Sequence, residues 1–345
     1  MSELLERVAD VANAVLWPAA QEVDRAPAIP RSHFDALADL GLFGQAAPPE
    51  LGGLGLAPPD TRRMLRLIGS GCAATGFAFA QHQGLVGALV RTANAGLRER
   101  WLAPLCRRTL AGIAFAHVRR SGPPVLRAAP LDGGAWLIEG EAPWVTSWGL
   151  AEVFLVAAAA PHDRLVWFVV PGAEVPGLVA SEPLALAVLS ATATVRLRFD
   201  GYRVPAAEVV EIVDRGPWSV SDRRAAARPN PLCLGVGDRA LAQLAGAEPA
   251  AAETLRPWWE EVSARAEGAA LLVDRQQGEP AELAAARAES ITGVQRLTTA
   301  LLAAVGGGGA LLTHPAQRLA REALFYVVQA QNADGRRATL ESLTA

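Results

Sequence analysis

The chain reads as an α+β fold in three parts: an N-terminal α-helical domain, a middle β-barrel or sandwich domain, and a C-terminal helical bundle. Two observations predict this. Apolar residues recur every three or four positions up to about residue 110, and fall in short alternating or continuous runs from about 112 to 213. They return to helical spacing beyond about 221. A chain of 345 residues also buries a large core and divides into more than one domain, here 1–110, 111–220 and 221–345.

The helical signals come first. Leu4, Leu5, Val8, Val11, Ala12 and Val15 share one face, and Phe34, Leu37, Leu40 and Leu42 follow the same spacing. Asp60 is the expected N-cap of a helix carrying Met64, Leu65, Leu67 and Ile68. A helix of small residues is expected over about Ala73 to Arg91, and another over Leu97 to Cys106. Strands are then expected at 135–139, 153–156 and 165–170. In Val195-Arg196-Leu197-Arg198-Phe199-Asp200 apolar and charged residues alternate strictly, as in a half-buried strand. Asp132-Gly133-Gly134 is a hairpin turn signal. Near the C-terminus Ile291, Val294, Leu297, Leu301 and Val305 form a helical stripe that stops at Gly306-Gly307-Gly308-Gly309.

Composition narrows the chemistry. The chain is 51% hydrophobic and 19% charged, with a net charge of −3 and scattered arginines, which argues against a nucleic-acid footprint. It has no lysine, so a Schiff-base lysine, a P-loop and a Ser-x-x-Lys nucleophile are all excluded. Cys72, Cys106 and Cys233 are far apart, as are His33, His82, His117, His162 and His314, so no metal site is expected. The first residues start an acidic amphipathic helix, without the apolar core of a signal peptide. The longest apolar runs, such as Leu155 to Pro161, are too short to span a bilayer. A cytoplasmic protein, with neither membrane nor nucleic acid as partner, is expected.

Leu40-Gly41-Leu42-Phe43-Gly44, followed by Pro48-Pro49-Glu50-Leu51-Gly52-Gly53-Leu54-Gly55-Leu56, carries almost no charge and many glycines. Glycine at that density means positive φ or very close backbone approach. The segment resembles the N-terminal helical domain of the acyl-CoA dehydrogenase family, a group of flavin enzymes. Phe199-Asp200-Gly201-Tyr202-Arg203-Val204-Pro205 and the run from His314 to Ala323 are similar to later family segments, so the likeness covers nearly the whole chain. The resemblance implies FAD, with FMN as the other possibility, and a small acyl substrate. It also implies a homodimer or homotetramer, served by an electron-transfer partner or a flavin reductase.

Gly140-Glu141-Ala142-Pro143-Trp144-Val145-Thr146-Ser147 looks like the family's Trp-x-Thr flavin segment. By that resemblance Trp144 packs on the isoalloxazine ring and Thr146 bonds near N5; read alone, the pair is a core tryptophan and a strand threonine. Phe115 and His117 fall in the segment that lines the flavin in the family, and Gly306 and Gly307 fall where a glycine pair meets the adenosine end from a neighbouring subunit. Four glycines in a row are also a helix stop. Trp258-Trp259 suits either a subunit interface or the core.

The pattern departs from the family at three places. The Thr-Glu-Pro stretch becomes Ala116-His117-Val118-Arg119-Arg120, and the ligand-contacting serine becomes Gly122. Arg119 and Arg120 there suit a carboxylate or phosphate of a substrate, or a solvated turn. No arginine for the FAD diphosphate follows the helix Pro231 to Leu244. The family's two usual glutamate positions fall on Ala330 and Ala225. A proton must be taken from the substrate α-carbon in the family's reaction. Asp222 is the nearest substitute, or else an N-cap, and Asp334 is a weaker one. Three readings follow: an acyl-CoA dehydrogenase-like flavoenzyme with an atypical or missing base, a two-component flavin monooxygenase-like enzyme, or a non-catalytic member serving as an assembly partner.

Overall fold

The N-terminal helices form where the apolar stripes predict them. In the computed structural model, which describes residues 1–344, α1 (Ser2–Val11) runs through a π-helical turn at Ala12–Leu16 into α2 (Trp17–Val23), and α3 (Arg31–Asp39) follows. Val8, Ala12 and Leu16 are fully buried, while Val15 stays exposed. The glycine-rich segment after α3 folds back on itself. Gly52 has φ 86°, and a Cβ on Gly53 would lie 2.0 Å from the Ala47 carbonyl oxygen, so both positions require glycine.

Helix α4 (Pro58–Gly71) corrects the expected cap. It starts at Pro58, whose fixed φ suits a first turn, with Ala57 before it. Asp60 therefore sits inside that turn, paired with Arg63 at 3.2 Å. Helices α5 (Ala73–Arg91) and α6 (Ala95–Arg107) complete the region, and the Asn94 side chain caps α6 by accepting from the Leu97 N–H at 3.1 Å.

At residue 111 the chain turns to strand. The strands are β1 (Ala111–Ala114), β2 (Leu126–Pro130), β3 (Trp136–Val145), β4 (Val153–Ala160), β5 (Arg164–Pro171), β6 (Leu178–Ala180), β7 (Val195–Val204) and β8 (Val209–Asp214). They form an eight-stranded sheet in the order β6-β7-β3-β2-β4-β5-β8, with β1 beside β4. Neighbours are antiparallel except at β1–β4 and β2–β4. The Asp132–Gly134 turn joins β2 to β3, setting Ala128 opposite Ile138. In β7 Val195, Leu197 and Phe199 are buried while Arg196, Arg198 and Asp200 face solvent. Strands β4 and β5 are buried almost throughout, which is why they read as continuous apolar runs.

Strand β8 ends at Asp214 and α7 (Arg215–Ala226) begins at once, ahead of the expected change near 220. It is followed by α8 (Pro231–Ala247), α9 (Pro249–Asp274), α10 (Pro280–Val305), α11 (Pro315–Val328) and α12 (Ala333–Thr344). Helix α10 buries Ile291, Val294, Leu297 and Leu301 and stops at Gly306, whose φ is 69°. Trp259 belongs to the core, its indole N–H donating to Asp238 at 2.8 Å, and half-buried Trp258 lies against Arg296. One apolar cluster joins Phe79 of α5, Phe154 of β4, Leu197 of β7, Val236 of α8 and Leu297 of α10. Each such side chain contributes roughly 1.5–3 kcal/mol on burial, so the helices are fixed on the sheet by shared core. Among the described residues no helix is long and apolar enough to cross a membrane.

Candidate active site

Strand β3 loses register against β7 near its end. Ala142 faces Leu197 and Val145 faces Val195, so Pro143 and Trp144 together oppose Arg196. This is a β-bulge, and Pro143, which has no N–H to donate, is suited to it. Trp144 takes φ 61°, a left-handed conformation that bulky residues rarely adopt and that costs about 1–2 kcal/mol. The residue is 58% exposed, so little packing within this chain offsets the strain. The ring borders an open cavity of about 220 Å³ with Arg120, Val125, Glu141, Pro143 and Arg196.

The other half of the motif faces inward. Thr146 is buried, with its hydroxyl 3.3 Å from that of Thr194, which lies 3.0 Å from the Thr192 hydroxyl. Ser147, at φ 73°, donates its N–H to the Thr192 carbonyl at 2.7 Å, and its hydroxyl is buried without a partner.

The segment after β1 makes a single 3₁₀ turn, Ala116–Arg119. Phe115 lies 5.2 Å from Trp167, which lies 5.9 Å from Trp218 of α7, and the Arg119 guanidinium sits 4.8 Å over the Phe115 ring. Arg119 also donates from Nε and Nη2 to the two Asp222 oxygens, at 2.8 and 2.7 Å. Asp222 is therefore not an N-cap. It lies inside α7 with both oxygens engaged, and Arg119 is correspondingly bound to protein. Arg215 donates to the Val118 carbonyl at 3.2 Å, and Arg223 pairs with Asp334 at 2.7 Å, which commits Asp334 to holding α7 against α12. Arg120 remains exposed at the cavity rim.

His117 is buried, with Nε2 2.8 Å from the Ala157 carbonyl oxygen. A carbonyl only accepts, so Nε2 carries the proton. Burial, set against that hydrogen bond and reinforced by the nearby Arg120 charge, lowers the ring's pKa to about 4. The ring is thus neutral near pH 7, and Nδ1 presents a buried lone pair without a partner. His117 borders a second cavity, of about 10 Å³, together with Arg120, Val125 and Arg215. Arg120 and Val125 line both cavities, so the two lie side by side.

The remaining expected positions lie elsewhere. Ala330 follows α11 at φ 52° and Ala225 is exposed on α7, so neither supplies a carboxylate. Gly306 and Gly307 are exposed after α10 and line neither cavity. Among the described residues no group of His, Cys, Asp and Glu side chains is arranged to hold a metal. Sequence reasoning missed Arg215 and Trp218, because a boundary near 220 assigned them to the end of the sheet domain. An earlier helix start at Arg215 was the signal that would have found them.

An isoalloxazine ring needs an aromatic face and polar partners at its edge nitrogens and oxygens. Exposed Trp144 and the unpartnered His117 Nδ1 fit that need. The diphosphate of FAD meets less support, since α8 ends at Ala247 and α9 begins at Pro249 with no arginine between.

Residues 2–109 match the family profile "Acyl-CoA dehydrogenase, N-terminal domain". Over 194 residues the chain is 31% identical to benzylmalonyl-CoA dehydrogenase of Aromatoleum aromaticum, covering 54% of this chain and 51% of that protein. The chain spans about half the length of the curated relatives it matches. Butyryl-CoA dehydrogenase from Megasphaera elsdenii shares the fold at a TM-score of 0.84, over 100% of this chain and 98% of that one, with 17% identity. FMN-bound dibenzothiophene monooxygenase from Paenibacillus sp. A11-2 shares it at 0.83, over 99% and 97%, with 19% identity. The helix–sheet–helix order, the glycine-rich N-terminal segment and these matches agree: residues 2–109 are an acyl-CoA dehydrogenase N-terminal domain, and the whole chain shares the fold of butyryl-CoA dehydrogenase.

Proposed function

We propose that the chain is a flavin-dependent oxidoreductase of acyl-CoA dehydrogenase type, acting on an acyl thioester or related small acyl substrate without the family's usual glutamate. The observation that carries this reading is Trp144, an aromatic ring held exposed by a strained backbone at the groove mouth. Strain of this kind persists at positions where function needs it. When bound, a flavin supplies a ring that takes electrons from a substrate or, once reduced, passes them to oxygen. In this reading Trp144 carries one face of that ring, and FAD or FMN is held with Gly306 and Gly307 supplied across a homodimer or homotetramer interface. Thr146 acts from behind the bulge through the Thr192–Thr194 hydroxyl cluster. Phe115, fixed between Arg119 and Trp167, walls the groove. Arg120 faces the substrate, an electron-transfer partner or flavin reductase completes the cycle, and the compartment is the cytoplasm.

One observation favours the second reading, a two-component monooxygenase-like enzyme. Both usual glutamate positions are alanine, and Asp222 is bound by Arg119 through both oxygens. Oxygen chemistry on a reduced flavin needs no base at a substrate α-carbon, and neither does a non-catalytic assembly partner. The test is the visible absorption spectrum of the purified protein before and after adding FAD or FMN, with released cofactor identified by chromatography. Flavin bands are expected, with occupancy at least tenfold lower in Trp144→Ala. A protein that stays colourless with both flavins would overturn the reading, and full occupancy in the variant would remove Trp144 from the site.

A further inference from the structure

We propose that helix α7 is a strap that opens locally at the side of the site, held shut by two arginine–aspartate pairs, Arg119–Asp222 and Arg223–Asp334. No bound flavin is needed for this, since every contact involved lies within the chain.

The residues of α7 do not make a helix on their own. Gly216, Ser219, Val220 and Ser221 are weak helix formers, and an isolated stretch of 12 residues is marginal in water even with good ones. Packing adds little. No residue of α7 is fully buried and Val220 is 64% exposed, whereas the next helix, α8, buries Leu232, Leu234, Val236, Leu241 and Leu244. Apolar burial therefore fixes α8 and not α7. Both ends of α7 are anchored. The Arg215 N–H donates to the Asp163 carbonyl at 2.9 Å, and just past the helix Ala227 and Pro229 are buried. Between these anchors the helix is held by Arg119 on Asp222 at 2.8 and 2.7 Å, by Arg223 on Asp334 at 2.7 Å, and by Trp218 against Trp167. An element fixed at its ends, poor in core contacts and dependent on polar latches is the kind that opens without the rest of the fold.

The position of α7 gives the opening a consequence. Arg119 ends the turn that follows Phe115, its guanidinium lies over the Phe115 ring, and Arg215 lines the small cavity beside Arg120. Lifting α7 parts Arg119 from its carboxylate and uncovers Trp167 behind Phe115, which widens the site from this side.

The test is hydrogen exchange of the full chain read by mass spectrometry, comparing peptides within α7 and α8. In wild type, α7 should exchange roughly a hundredfold faster than α8. Asp222→Ala separates latch from propensity, because alanine is the best helix former. Exchange in α7 should rise about tenfold if the latch holds it and fall if propensity does, with α8 within about twofold of wild type. Should the variant fold poorly, wild type in about 1 M salt, where charges are screened beyond about 3 Å, should shift α7 in the same direction with α8 unmoved. Exchange of α7 at the rate of α8, an α7 rate unmoved or slowed by the variant or by salt, or an equal rise in both helices overturns the strap. The flavin reading survives each of these outcomes, and a colourless protein would leave the strap standing.

Discussion

His82 and His117 mark two junctions of the molecule with the same chemistry and different completeness. Each is buried, each is lowered to a pKa of about 4 chiefly by that burial, and each donates from Nε2 to a backbone carbonyl. At the first junction the ring also accepts from Ala111, so it ties the glycine-rich loop at Phe43 to the first strand. At the second, the same lone pair is buried without a partner, in a ring that helps line a small cavity. A buried imidazole with both nitrogens engaged ties two segments together, whereas one with a single bond makes one tie and carries the cost of an unpaired lone pair.

The largest test of that contrast is leucine at each position. His82→Leu leaves the Ala111 N–H unpaired, while the Phe43 carbonyl keeps its bond from the Gln83 amide at 3.2 Å, and should cost about 1–3 kcal/mol in urea denaturation. His117→Leu leaves the Ala157 carbonyl unpaired but also removes the orphan Nδ1, and should cost less. Equal losses would break the comparison.

Acid sharpens it next. Both rings have pKa values near 4 when folded against an ordinary value of 6.5, so the unfolded chain binds protons that the folded chain refuses. Their contribution is complete above pH 6.5 and is lost as pH falls toward 4, by up to about 3 kcal/mol for each ring. Removing His117 should flatten that slope by roughly half in a pH series of denaturation midpoints; a slope unchanged from wild type would mean that other groups set it.

The smallest effect concerns Trp144. Trp144→Gly relieves the left-handed backbone and should stabilise the ligand-free protein by about 1 kcal/mol, while lowering flavin affinity. Stability lost along with affinity would show that the ring also packs the fold.

The sequence made the fold legible where packing and periodicity coincide. The stripe from Ile291 to Leu301 and the alternation from Val195 to Asp200 each follow from one face being buried. Helix α7 was hard to read because its residues are mostly polar and none is fully buried. Its position depends on Asp222 meeting Arg119, Arg223 meeting Asp334, and Trp218 meeting Trp167, contacts between residues far apart in sequence. The site divides in the same way. Trp144 is marked by its motif, but its strained exposure depends on register against β7. His117 is marked by its segment, yet its tautomer is set by Ala157, forty residues on.

The bulge at Trp144 has an optical consequence. Of the nine tryptophans, Trp144 is the one in the exposed class, and the other eight are buried or half-buried. A collisional quencher such as acrylamide therefore reaches this indole first, and a ligand stacked on the ring shields it. Occupancy of the groove can then be followed by the emission of the unlabelled protein, with the shielded fraction read directly from the quenching curve.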